Sequence, residues 1–310
     1  MPILFLPWLL LLLLPAIAGC VLKRWRKTAV GLLLVGISLN YYGAIIPIRF
    51  PVHWGSFASD SREGRFSVLA WNIHGGDKDT VRYEAIADRI IEADADVVFL
   101  SEVFTETAYV MDALLADRYP YRTTNFQWCA HYFYSKYPIT DSAQIAVEGG
   151  NEVIVCSRFA MGGRELDIYG CHLTSNNCEA SKIGYLNARN VGGGSSLWSY
   201  MKGIDYASRQ RAREARRICD TIAARPCPHL VMGDMNDVCG SEALKIFAGS
   251  GLKDAWWQGG CGYGATIHRP LPYRIDHVMY DGGTKLRHIS KIPADGLSDH
   301  DALRAVFEFE

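Results

Sequence analysis

Four apolar runs of strand length in this chain each end in a residue able to hold a cation, a phosphate or a proton. Residues 68–71 lead into Asn72, 97–100 into Ser101-Glu102, 168–171 into His172, and 230–232 into Gly233-Asp234-Met235-Asn236-Asp237. Short apolar runs bounded by polar residues read as buried strands. Strands lying side by side bring their carboxyl ends to one sheet edge, where ligands commonly bind. The pattern therefore predicts a sheet edge carrying acid, amide and imidazole together.

The rest of the chain fits a sheet-rich domain. Residues 80–93 space Tyr83, Ile86, Ala87 and Ile90 along one helical face, and 107–116 and 208–224 read as two further helices. Strands are expected at 66–71, 96–100, 128–134, 152–159, 165–171, 229–232, 274–280 and 302–309. Strands outnumber helices and often follow one another, which favours α+β with much antiparallel sheet over a doubly wound parallel fold. Residues 50–64 lose apolar periodicity and gain Ser, Asp and Gly, so they read as a linker ahead of a domain spanning 65–310.

Hydrophobic residues make up 49% of the chain, and the excess sits before that linker. Residues 4–22 and 29–48 are apolar runs flanking the basic segment 23–27, each about the ~20 residues a membrane-spanning helix needs. We read residues 1–49 as a two-helix anchor in the lipid bilayer. Its basic loop belongs in the cytoplasm, which puts the domain on the extracytoplasmic, periplasmic side. Ile17-Ala18-Gly19-Cys20 offers the alternative of a lipidated Cys20, weakened by the missing basic segment ahead of the apolar run. Eight of nine cysteines follow the anchor, an even number compatible with disulfides, although burial as small apolar residues is the simpler reading. Cys171, His172 and Cys178 lack the fourth ligand of a structural zinc site. Five basic residues and one acid lie in the first 60 positions, so the remainder carries 27 basic against 32 acidic groups, a net charge of −5. Tight duplex binding by counterion release is disfavoured by that balance.

The polar cluster itself is rich in carboxylate and amide oxygens, the donors suited to a hard ion such as Mg²⁺. His172 and His300 add groups able to move a proton or balance an anionic transition state. Taken singly, each residue has a plainer explanation. Asn72 and the Gly-Asp-Met-Asn-Asp stretch are good turn chemistry, Glu102 suits a surface loop, His172 a sheet edge, and Asp299-His300 a cap before the last strand. Together they are harder to explain away.

Seven motifs occur in order: Trp71-Asn72-Ile73, Ser101-Glu102-Val103, Ser135-Lys136-Tyr137-Pro138-Ile139, Gly170-Cys171-His172-Leu173, Gly233-Asp234-Met235-Asn236-Asp237, Arg274-Ile275-Asp276-His277-Val278 and Ser298-Asp299-His300. In these the chain from about residue 65 to 309 resembles the endonuclease/exonuclease/phosphatase superfamily. The resemblance implies a four-layered α/β sandwich, two packed mixed sheets flanked by helices. It implies a Mg²⁺-dependent phosphoesterase, with Mn²⁺ as a substitute, whose ion is held by Glu102 with Asn72 and Asp299. Asp234 would orient or deprotonate the attacking water. Asn236 and His172 would bond phosphate oxygens, and His300, held by Asp276, would complete the cradle.

The substrate stays open among nucleic acid, a phospholipid head group and a soluble phosphate ester, and a monomer is expected. The alternative is a non-catalytic binding or scaffold protein that keeps the fold. A transporter subunit is disfavoured because the two apolar runs hold no charged residue. Trp256, Trp257 and Tyr263 are better core than substrate platforms, and His74 and His131 read as ordinary loop and strand histidines. Arg209, Arg211, Arg213, Arg216 and Arg217 spread around the predicted 208–224 helix as a solvated surface. Residues 181–204, rich in Gly and Ser, are expected to shape the substrate pocket.

Overall fold

The computed structural model describes residues 64–77, 79–123, 130–147, 154–176, 197–268 and 272–310, with side chains from 202 onward in the fifth stretch. In chain order the elements are β1 (Arg65–Asn72), α1 (Thr80–Ala93), β2 (Val97–Ser101), α2 (Thr105–Leu115), β3 (Tyr121–Arg122), β4 (His131–Ser135), β5 (Ile139–Ile145), β6 (Ile154–Met161), β7 (Arg164–His172), α3 (Leu197–Ala223), β8 (His229–Asp234), α4 (Glu242–Gly249), β9 (Lys253–Asp254), α5 (Ala255–Gly259), β10 (Asp276–Tyr280), β11 (Thr284–Ile292) and β12 (Ala302–Phe309).

The strands form two six-stranded sheets, ordered β11-β12-β1-β2-β4-β3 and β5-β6-β7-β8-β10-β9. Each has one parallel pair at its centre, β1/β2 and β7/β8, and the other pairings are antiparallel. Strand alternation explains why both faces of these central strands are apolar. Phe66, Val68, Ala70, Val97 and Phe99 point between the sheets against Val155, Phe159, Ile168, Leu230, Met232 and Val278. The alternate residues Leu69, Trp71, Val98 and Leu100 meet α1 and α2, while Tyr169, Cys171 and Val231 meet α3 and α4. The result is a helix, sheet, sheet, helix sandwich, as the resemblance implied. Phe99 lies fully buried at its centre, and any side chain at Gly170 would strike the rings of Phe99 and Phe133. Truncating Phe99 to Ala would open a core cavity costing about 3–5 kcal/mol.

The four polar-tipped strands do not share one sheet edge. β1 and β2 supply one pair of ends and β7 and β8 the other, from sheets that face each other. The site therefore straddles the sandwich. Helix α1 follows the sequence closely: Asp79 accepts from the Arg82 N–H at 3.1 Å, Tyr83, Ile86, Ala87, Ile90 and Ala93 are buried, and Asp94 ends the helix in the left-handed conformation. Helix α3 is longer than expected, because Ile204 and Ala207 extend its buried stripe toward the N-terminus. Strand β5 has no apolar alternation because it is an exposed edge strand.

Residues 4–22, 29–48 and Cys20 lie outside the described residues, as do Cys129, Cys178 and most of 181–204. Among the described residues no helix is long and apolar enough to cross a membrane. Six cysteines, Cys156, Cys171, Cys219, Cys227, Cys239 and Cys261, are free thiols. Trp256 is buried in the core, its Nε1 donating to the Gly262 carbonyl at 3.1 Å.

Candidate active site

Pairing register sets the floor of the site. In the parallel β7/β8 pair His172 stands beside Asp234, and across the antiparallel β8/β10 pair Asp234 stands opposite Asp276. Two carboxylates directly opposed repel each other. His300 relieves this repulsion: its Nδ1 lies 2.8 Å from Asp276 Oδ2 and its Nε2 lies 3.7 Å from Asp234 Oδ2. Burial alone would disfavour the imidazolium, but Asp276 and Asp234 outweigh it and lift the His300 pKa to about 10. Burial also pushes Asp234 upward, opposed by the charges of His300 and His172. The buried unit Asp234–His300–Asp276 is thus held together by a proton on the histidine.

The β1/β2 side meets this unit through Asn72. Its Nδ2 donates to Glu102 Oε1 at 3.0 Å and to Asp234 Oδ2 at 3.1 Å, so one amide bridges the two sheets. His172 Nε2 lies 3.6 Å from both of those carboxylate oxygens. The turn before β12 closes over the end of β1 because β12 pairs with it. Ser298 Oγ donates to the Asn72 carbonyl at 2.7 Å, and Trp71 Nε1 donates to the His300 carbonyl at 2.8 Å. Asp299 is thereby carried to the mouth of the site. Asn236 completes the opposite wall, its N–H bonded to Asp234 Oδ1 and its Nδ2 to the Leu173 carbonyl, both at 2.8 Å.

All eight candidates, Asn72, Glu102, His172, Asp234, Asn236, Asp276, Asp299 and His300, are gathered in this one cluster. Two histidines set aside on sequence grounds stand next to it. His74 Nδ1 is 3.4 Å from Glu102 Oε2 and 3.6 Å from Asp299 Oδ1. His131 backs His172 edge-on, ring centroids 5.6 Å apart. His74, Glu102 and Asn236 all have positive φ, +46°, +57° and +50°, three of the five non-glycine residues that do among the described residues. Such backbone concentrates at functional sites because surrounding contacts must hold it there.

Two groups of side chains here could take a cation, and their chemistry separates them. Asp234, Asp276 and His300 have ligand atoms within 4.8 Å of one another. That group already carries a positive charge on His300, and His300 Nδ1 is committed to Asp276. Glu102 and Asp299 instead turn carboxylate oxygens toward one shared point, marked by His74 Nδ1, and their side chains are 24% and 45% exposed. The two carboxylates form an open pair of oxygen donors that fits a hard divalent ion, with the Oδ1 of the buried Asn72, which takes the His74 N–H at 3.0 Å, as a third oxygen beside them.

The endonuclease/exonuclease/phosphatase family model matches residues 69–300, and the chain belongs to that family. Its members are hydrolases of phosphate esters and generally depend on a divalent metal. No curated protein sequence matches the chain. Among solved structures it is similar to truncated Caenorhabditis elegans TDP2, with 19% identity, a TM-score of 0.56, and coverage of 79% of this chain and 97% of that one. Sphingomyelinase C from Streptomyces griseocarneus gives 18% identity, a TM-score of 0.55, and coverage of 78% and 99%. An endonuclease/exonuclease/phosphatase protein from Beutenbergia cavernae gives 18% identity, a TM-score of 0.60, and coverage of 79% and 72%. At such identities the likeness is one of fold.

Proposed function

We propose that this chain is a Mg²⁺-dependent phosphoesterase that hydrolyses a phosphodiester or phosphomonoester by attack of water. The observation that carries the reading is the juxtaposition of an open oxygen-donor set, Asn72, Glu102 and Asp299, with the buried, protonated unit Asp234–His300–Asp276. The first would hold Mg²⁺, or Mn²⁺ in its place; when bound, the ion supplies Lewis-acid stabilisation of charge on the phosphate and leaving oxygen. Asp234, hydrogen-bonded by Asn72 and Asn236, orients the water and takes its proton. Asn236 and His172 donate to the non-bridging oxygens. His300, held by Asp276, places positive charge where negative charge grows.

Substrate class remains a choice among nucleic acid, a phospholipid head group and a soluble phosphate ester. The acidic domain balance favours substrates that need no extended basic surface. The enzyme acts as a monomer tethered outside the cytoplasm through residues 4–22 and 29–48, a reading supported by the apolar runs and the basic loop between them. The tether would join at Arg65, seven residues and roughly 23 Å along β1 from Asn72, at the far end of that strand from the site.

Hydrolysis of bis-p-nitrophenyl phosphate and of a substrate panel (single- and double-stranded DNA, RNA, sphingomyelin, phosphoinositides and nucleotides), with Mg²⁺ and with EDTA, tests the reading. Activity is expected with Mg²⁺ only, and to be lost in Asp234→Ala and His300→Ala. Activity that survives both substitutions would refute it.

A further inference from the structure

Arg211 lies on α3 two residues from Arg209 and from Arg213, both exposed, yet its own side chain is 1% exposed. Its Nε donates to Asp237 Oδ2 at 3.1 Å, and its Nη1 donates to the Thr174 carbonyl at 2.8 Å and to Asn176 Oδ1 at 3.1 Å. One turn on, Glu214 accepts from the Thr174 N–H at 2.9 Å and from its hydroxyl. Thr174 follows His172 by two residues, and Asp237 follows Asn236 directly. One buried guanidinium therefore ties together the two loops that leave β7 and β8.

Those loops need holding. Asn236 sits at φ +50°, a left-handed conformation that Asn adopts more readily than most L-residues and that turns the chain sharply after β8. Its side chain reaches across to the Leu173 carbonyl, so its aim depends on the spacing of the two loops. Asp237 is gripped from both ends, its carboxylate by Arg211 and its carbonyl by His277 Nε2 at 3.0 Å. An arginine can bond three acceptors in a fixed fork, whereas lysine offers one compact ammonium and cannot span them.

We propose that Arg211 is a positioning residue that sets the spacing and aim of His172 and Asn236 toward the substrate phosphate and touches no reacting atom. The proposal rests on the phosphoesterase reading above. Misplacement of about 1 Å in such groups costs on the order of 10²-fold in rate. Arg211→Lys and Asp237→Asn are accordingly expected to lower kcat about 10–100-fold. The Mg²⁺ concentration giving half-maximal activity should stay within about twofold of the parent value, because Asn72, Glu102 and Asp299 stand on separate elements. The double variant should lose no more than the worse single one, since both break the same link.

Melting temperature and near-ultraviolet circular dichroism establish that each variant is folded, and if Arg211→Lys does not fold, the nearly isosteric Asp237→Asn decides alone. Folded variants whose kcat stays within about threefold of the parent, while Asn236→Ala falls sharply, would overturn the positioning role and leave the phosphoesterase reading standing. A shift in Mg²⁺ requirement as large as the fall in kcat would also overturn it, by making the brace a general one. A parent protein without phosphoesterase activity would instead remove the reading on which the proposal rests, and the proposal with it.

Discussion

The two walls of the site are built on opposite principles. On the β1/β2 side Glu102 and Asp299 are partly exposed, and their outward oxygens lie beside the imidazole of an exposed His74. On the β7/β8/β10 side Asp234, Asp276 and His300 are buried, and each is bonded to a neighbour fixed by sheet register. An exposed carboxylate pair can exchange water for a cation at little cost, whereas a buried one needs its charge balanced within the fold. The open wall thus suits reversible metal binding and the closed wall suits fixed geometry. Substitutions on the two walls should fail in different ways.

The largest effect is expected on the closed wall. Asp234→Ala removes the group assigned to the water and should lower kcat/KM by about 10³-fold or more, with the Mg²⁺ titration midpoint little changed. A midpoint that moved with the rate would break the division between the walls. Glu102→Gln on the open wall should do the reverse. It should raise the Mg²⁺ needed for half-maximal activity by at least about 10-fold, with much of the rate recovered at saturating metal. Isothermal titration with Mg²⁺, which needs no turnover, gives an independent reading.

Asp276→Asn sharpens the comparison through pH. His300 rises on folding from an ordinary 6.5 to about 10, so its protonation contributes stability that is complete below pH 6.5 and is lost as pH climbs toward 10. In EDTA the urea midpoint of the parent should fall across that window. With Asp276 neutralised, the lift on His300 shrinks and so should the fall. An unchanged slope would mean that Asp276 does not hold the proton on His300.

Much of this site was legible because its residues sit where buried strands stop, at Asn72, Glu102, His172 and Asp234, and strand ends show as sharp changes from apolar to polar. That those ends belong to two sheets was not legible, since pairing partners are set by packing between distant segments. His74 was undervalued, although its place in Asn72-Ile73-His74-Gly75-Gly76 puts it on the turn leaving β1. Arg211 does not share the solvated surface expected of the 208–224 arginines, for it lies buried. The signal lay in the spacing of Ile204, Ala207, Ala215 and Ile218, whose buried stripe passes through position 211. Strand β5 left little trace, since Ile139-Thr140-Asp141-Ser142 is an exposed edge.

The smallest effect expected is also the cleanest control on the walls. Arg209 stands on the same helix as Arg211 and pairs with Asp205 at 2.7 Å, but its side chain is 73% exposed. An exposed helical pair of this kind contributes roughly 0.3–0.5 kcal/mol, against the cost of leaving Asp237 and the Thr174 carbonyl unpaired inside the protein when Arg211 goes. Arg209→Ala should therefore shift the urea midpoint barely and leave kcat and Mg²⁺ requirement at the parent values. If it lowered kcat as Arg211→Lys is expected to, the outer face of α3 would have to contact substrate. The closed wall would then extend beyond the residues that β7, β8 and β10 hold in register.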